Sequence, residues 1–185
     1  MGETNEEHIG NWAGEAGRLR LMELFNSRQE RLKRIIAGMG FRPDDAEDIL
    51  QEIYIRILKH PPDYRSDNEA SRWLIKVTTN LCLMEHRKRR RFEKKTTEIL
   101  QRQNQSSANT TEQTLIKAEE LEKVREAMRE IDGTILAVMT LRYFAGLNST
   151  EVGEALDLNP STVRGRLREG RMILAEKLLQ RGIKA

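Results

Sequence analysis

The stretch NSTEVGEALDLNPSTVRGRLREGRMIL, residues 148–174, decides the fold. Asn148 is a helix-capping residue and Glu151 follows three positions on, the spacing of a capping box in which each side chain takes the other's backbone N–H. Val152, Ala155 and Leu156 then form an inner helical face. Asp157 falls at a turn where glycine is the easier residue, although aspartate tolerates unusual backbone angles. Leu158 plugs the core beneath the turn. Asn159 caps a second helix and Pro160 occupies its first turn. Val163, Leu167 and Leu174 face inward along that helix. The layout is a helix-turn-helix.

Arg164, Arg168 and Arg171 share the outward face of the second helix, with Arg166 alongside. Guanidinium groups so placed contact phosphates or read guanine bidentately in a major groove, and Ser161 and Thr162 at the helix start suit phosphate or base edges. The plainer alternative is a solvated surface helix. Gly165 and Gly170 each cost the helix up to ~1 kcal/mol relative to alanine.

Working toward the N-terminus, Leu115, Ala118, Leu121, Val124, Met128 and Ile131 mark a helix, and 134–144 a further one, with two shorter helices after it. The segment 93–114 contains QRQNQSSANTTEQT, poor in apolar residues, and reads as a flexible linker. Before it, Ala70 to Arg90 forms a helix with two faces. Trp73, Leu74, Val77, Leu81 and Met84 make the apolar one. Arg72, Lys76, Asn80, Arg87 and Arg90 make the other, which runs into RKRRRFEKK at 87–95 and suits a nucleic-acid backbone. The preceding loop offers Tyr64, Arg65, Asp67 and Asn68 to an unpaired base, although Tyr64 has an equal claim to packing on its own domain.

Ala46, Ile49, Leu50, Ile53, Tyr54, Ile57 and Leu58 keep the rhythm of an amphipathic helix that begins at Pro43. Glu47, Asp48, Gln51, Glu52 and Ile55 lie off that stripe. An exposed isoleucine among carboxylates repels nucleic acid and suits a protein partner; an ordinary solvated surface is the competing reading. An earlier helix runs from Leu21 to Met39 and ends at Gly38 and Gly40.

The 185 residues, 38% hydrophobic and 33% charged with a net charge of +3, suit two small helical cores better than one large enzyme core. Cys82 stands alone, which excludes a disulfide framework and fits a reducing compartment. No apolar run approaches the ~20 residues a membrane span needs, and MGETNEEHIGNWAGEAG lacks the features of a secretory signal, so a cytoplasmic location is expected. His8, His60 and His86 are scattered, no metal-site spacing or phosphate-binding glycine loop occurs, and neither enzymatic activity nor a cofactor or metal is expected.

Taken together these stretches resemble the extracytoplasmic-function (ECF) sigma factors. DDAEDILQEIYIRIL (44–58) is similar to the family's core-binding helix, SRWLIKVTTNLCLMEHRKRRR (71–91) to its promoter-melting helix, and 146–174 to its −35-reading domain. The resemblance implies an all-α chain of two small helical domains on a flexible linker: a tail at 1–17, region 2 at 18–92, the linker at 93–114, and region 4 with its helix-turn-helix at 115–185. It implies that Asp48, Gln51, Glu52 and Ile55 meet core RNA polymerase. Tyr64, Arg65, Asn68 and Asn80 would read melted −10 DNA, with Arg72, Lys76, Arg87 and Arg90 on the backbone. Ser161, Thr162, Arg164, Arg166, Arg168 and Arg171 would serve the −35 duplex. It further implies promoter DNA and an anti-sigma factor as partners. Glu169 departs from the pattern, since a basic residue is frequent there and a carboxylate repels phosphate or selects a cytosine amino group. The alternative reading is a helix-turn-helix regulator that binds duplex DNA alone.

Overall fold

The computed structural model describes residues 14–59, 61, 62, 64, 66–97 and 112–183, with the side chains of 92–97 and 112–118 outside it. Most of the stretch read as a tail, Arg65, and the linker core at 98–111 therefore lie outside the described residues, as do His8 and His60. Among the described residues every regular element is an α-helix: α1 Gly14–Gly38, α2 Pro43–Lys59, α3 Asp67–Thr97, α4 Glu112–Arg129, α5 Gly133–Tyr143, α6 Ser149–Leu156 and α7 Pro160–Gln180.

The first three helices pack into one bundle because each carries an apolar stripe at helical spacing. Leu21, Phe25, Leu32, Ile35 and Ile36 of α1 meet Ile49, Leu50, Ile53 and Ile57 of α2 and Leu74, Ile75 and Leu81 of α3, all of them buried. The start of α2 is closed locally: Pro43 fills the first turn, and the Asp45 carboxylate accepts the Arg42 backbone N–H at 3.0 Å. Thr78 and Thr79 are buried in α3, and each hydroxyl donates to the carbonyl one turn back, on Leu74 at 2.7 Å and Ile75 at 2.8 Å. No polar atom of theirs is stranded by burial.

The second unit is built around α5. Every residue from Ile135 to Leu141 is buried, so this helix has no solvated face over that run. A helix that is apolar all round must be covered all round. On one side α6 and α7 cover it, and on the other α3 and the end of α1 from the first bundle. The buried side chains accordingly form one continuous cluster through both units. Two helical domains are present as expected, but they also lean on each other, which the sequence reading did not foresee.

Two expectations need correcting. Helix α7 is not short but runs for 21 residues, because nothing interrupts it between Pro160 and Gly182, where φ reaches +76°. Met84, read as inward, is 55% exposed: the buried face of α3 continues through Cys82 and His86, and Met84 stands at the open edge between α2 and α3. Cys82 has no exposed surface, and that burial pushes its thiol pKa up.

Candidate nucleic-acid interface

The helix-turn-helix is held by local chemistry throughout. Asn148 Oδ1 accepts the backbone N–H groups of Thr150 at 2.9 Å and Glu151 at 3.0 Å, and the Glu151 carboxylate accepts the Asn148 N–H at 2.7 Å. Asp157 ends α6 in the left-handed region, with φ 54° and ψ 48°. The Leu158 N–H then returns to the Gly153 carbonyl at 2.8 Å. Asn159 Oδ1 accepts both the N–H and the hydroxyl of Ser161, so that hydroxyl is donating to the cap. Thr162 is free of this arrangement and exposed.

With Val163 and Leu167 buried against the core, Arg164, Arg168 and Arg171 are exposed along the opposite side of α7. They lie four and three residues apart, one stripe of positive charge. Arg171 reaches Tyr143 Oη at 3.4 Å, and Glu169 is exposed beside the stripe. Arg166 behaves differently. It follows Val163 by three positions and precedes Leu167 by one, so it borders the buried stripe; its Nη1 is buried and has no hydrogen-bond partner among the described residues.

On α3, Asn80 and Arg87 are exposed, as is Asn68 in the first turn. Arg72 and Lys76 are directed at the second unit. Arg72 Nη1 lies 3.4 Å from Glu154, and Lys76 Nζ lies 3.0 and 2.9 Å from the two carboxylate oxygens of Asp157. Arg90 also turns that way and donates to the backbone carbonyls of Ile131 at 2.7 Å and Arg129 at 3.4 Å. Tyr64 is half-buried against Trp73, ring centroids 6.0 Å apart, and burial raises its phenol pKa. Of the two readings open for Tyr64, packing on its own domain is the one observed here.

The acidic surface of α2 is separate. Asp48, Gln51, Glu52 and Ile55 are all exposed, Ile55 at 41%, and Glu52 is paired with Arg56 at 3.0 Å. Beside it runs an open groove of about 1110 Å³, with Asp48 and Glu52 on the α2 wall and Met84 and Arg87 on the α3 wall. At its end Arg89 clamps Asp45 at 2.6 Å. Burial by itself raises the Asp45 carboxyl pKa, but the Arg89 guanidinium and the Arg42 N–H outweigh it and hold the carboxyl below its ordinary range. The acidic face of α2 and the basic face of α3 thus meet along this groove.

The groups that sequence reading missed are Glu154 and Asp157 as partners for Arg72 and Lys76. The available signal was α5, whose unbroken run ILAVMTL left no side for solvent and so required a second neighbour. Among the described residues no helix is long and apolar enough to cross a membrane, and no three His, Cys, Asp or Glu side chains cluster as metal ligands.

Residues 24–92, which take in most of α1, all of α2 and most of α3, match the model of the family Sigma-70 region 2. The chain is 28% identical over 141 residues to ECF RNA polymerase sigma factor SigW of Bacillus subtilis, covering 72% of this chain and 75% of that protein. It is 26% identical over 156 residues to ECF RNA polymerase sigma factor SigE of Mycolicibacterium smegmatis, covering 84% of this chain and 60% of that longer protein. It is 24% identical over 161 residues to ECF RNA polymerase sigma factor SigX of Bacillus subtilis, covering 84% and 81%. The family match and the α2 and α3 surfaces coincide, the relatives extend well beyond the matched region, and the chain is similar over most of its length to ECF-type RNA polymerase sigma factors.

Proposed function

We propose that this sigma factor docks on core polymerase through the acidic face of α2, captures a melted −10 element on α3 and its preceding loop, and reads a −35 element as duplex with α7. One observation carries the reading: three separate surfaces, one acidic and two basic, stand on one chain. The α2 face is acidic with an exposed Ile55, and α3 and α7 each present exposed cations. A stand-alone helix-turn-helix regulator has use for α7 but none for the other two.

In this reading Asp48, Gln51, Glu52 and Ile55 form the polymerase contact. Asn68, Asn80 and residues of the 61–69 loop take an unstacked base, whose extrusion costs a few kcal/mol that a formed pocket recovers. Arg72, Lys76, Arg87 and Arg90 hold backbone phosphates, and Arg164, Arg168 and Arg171 enter the major groove. Residues 18–92 and 115–185 act as regions 2 and 4, joined by 93–114. Two weak sites on one chain gain affinity by engaging polymerase and both promoter elements together. An anti-sigma factor covering these faces, in the cytoplasm, is the expected regulator.

Transcription in vitro, with core polymerase and a library of genomic fragments, tests this. The expected result is RNA starting from a defined promoter set only when the chain is added. Absence of any association with core, or tight duplex binding by the chain alone with no effect on initiation, overturns it in favour of the regulator.

A further inference from the structure

Helix α5 is buried from Ile135 to Leu141, yet Tyr143 in its last turn is 53% exposed. The packing beneath fixes where its ring stands. Gly170 of α7 lies so close to α5 that an added Cβ would meet the Met139 sulfur and come within 2.7 Å of Ile135 Cγ2. Tyr143 is one turn beyond Met139, and Arg171 follows Gly170 directly. The crossing therefore brings a phenol and a guanidinium side by side to the surface, with Arg171 Nη1 3.4 Å from Tyr143 Oη. Both stand on helices packed into the core, so the pair is set in place before any partner arrives.

In that contact the guanidinium donates and the phenol oxygen accepts. The phenol proton then has no acceptor among the described residues, and Arg171 has no carboxylate partner among them. At 3.4 Å the bond is long and leaves both groups open to a better partner. Two neighbouring donors, one of them cationic and not neutralised, suit an acceptor with anionic oxygens. A backbone phosphate is such an acceptor.

The place of the pair along α7, taken with the −35 reading proposed above on which this inference rests, sets which part of a duplex it meets. The N-terminal residues of a recognition helix reach base edges. Arg171 lies two turns beyond Arg164, about 10 Å at ~1.5 Å per residue. The major groove is only about 8.5 Å deep. With Thr162 and Arg164 at the bases, Arg171 and Tyr143 stand at the mouth of the groove, level with the backbone. Arg168, about 6 Å beyond Arg164, still falls within it.

We propose that Tyr143 is a further DNA-binding residue: its hydroxyl donates to one backbone phosphate of the −35 duplex, and Arg171 grips the same phosphate. Base reading is left to Thr162, Arg164 and Arg168. The clamp adds affinity without sequence preference and fixes how deeply α7 enters the groove.

Holoenzyme made with full-length variants tests it, on promoter duplexes carrying single neutral methylphosphonate linkages through the −35 element. Wild-type binding should weaken at one linkage in particular. That penalty should shrink in Tyr143→Phe and vanish in the Tyr143→Phe/Arg171→Ala double variant. On unmodified duplex Tyr143→Phe should bind about fivefold more weakly, the scale of one hydrogen bond, and equally so for matched and altered −35 sequences. Its salt slope should stay unchanged because no charge is lost, whereas Arg171→Ala should flatten the slope by about 0.9. In the Arg171→Ala background the loss of the hydroxyl should still weaken binding. No effect there reduces Tyr143 to a prop for Arg171 and overturns the proposal, as does an unchanged affinity in Tyr143→Phe alone. Arg164→Ala separates this from the reading beneath it. If Arg164→Ala loses −35 selectivity while Tyr143→Phe matches wild type, only the clamp falls. If neither variant alters binding, α7 is not the −35 reader and both fall.

Discussion

His86 Nε2 lies 2.7 Å from the carbonyl oxygen of Met39, and so ties the middle of α3 to the end of α1. A carbonyl can only accept, so Nε2 carries the proton. The ring is buried and sits against Phe41, centroids 4.6 Å apart, and the Arg89 guanidinium also lies over that phenyl. Burial pulls the imidazole pKa below 6.5; the Met39 bond opposes this, and the charges of Arg89, Arg90 and Arg129 add to the depression.

A histidine held neutral in the fold takes up its proton more readily when the chain unfolds. Its contribution is therefore complete above pH ~6.5 and is lost as pH falls through the lower, folded-state pKa. Urea midpoints should drop between pH 7.5 and pH 5.5. His86→Gln keeps a donor toward Met39 but cannot titrate, and it should flatten that dependence; an unchanged pH slope in the variant would rule out His86 as the source.

Two glycines in α7 separate by packing. Gly165 has open space where a side chain would go, so Gly165→Ala should gain up to ~1 kcal/mol from helix propensity. Gly170 presses on α5, where a Cβ would meet the Met139 sulfur and come within 2.7 Å of Ile135 Cγ2. Gly170→Ala should cost about 1–3 kcal/mol through overpacking. Thermal unfolding of the pair should show shifts of opposite sign.

The proposed polymerase face can be probed without touching the core. Ile55 is 41% exposed and lies outside the buried cluster, so Ile55→Arg should leave the melting temperature unchanged. Under the proposed docking its loss should weaken core association by about tenfold or more, in the range of interface anchors above ~1 kcal/mol. Titration of labelled variant with core polymerase measures this directly.

At the other end of the chain, Arg164 and Arg168 stand free on α7. Arg168→Ala should lose ~1–3 kcal/mol of holoenzyme affinity for a matched promoter if it reads a base, and relax selectivity at that position. A uniform loss across all sequences, with a shallower salt dependence, would instead mark it as a phosphate contact. Glu169→Gln should strengthen binding to duplex by removing a negative charge beside the arginine stripe of α7.

The features legible in the sequence were those decided within a few residues. The Asn148–Glu151 box, the Asn159–Pro160 start and the turn at Asp157 are each settled by local hydrogen bonding, and all three form. Helical phase alone also placed Arg164, Arg168 and the exposed α2 face. Harder were features set by a distant neighbour. Met84 and Arg166 each sit at the edge of an apolar stripe, where a small rotation toward one partner or another decides exposure. Gly170 looked like a propensity cost because its reason, the close approach of α5, is more than thirty positions away in the chain. The pairing of Lys76 with Asp157 spans 81 positions, and no local pattern announces it.

The burial of Cys82 has a practical side. It is the chain's single thiol, and it is sealed within the α1–α3 bundle. A thiol reagent can reach it only when that bundle breathes, so its rate of modification is a native clock for local opening. A cysteine placed on the surface would react long before it, which leaves the natural protein ready for site-specific dyes without any background substitution.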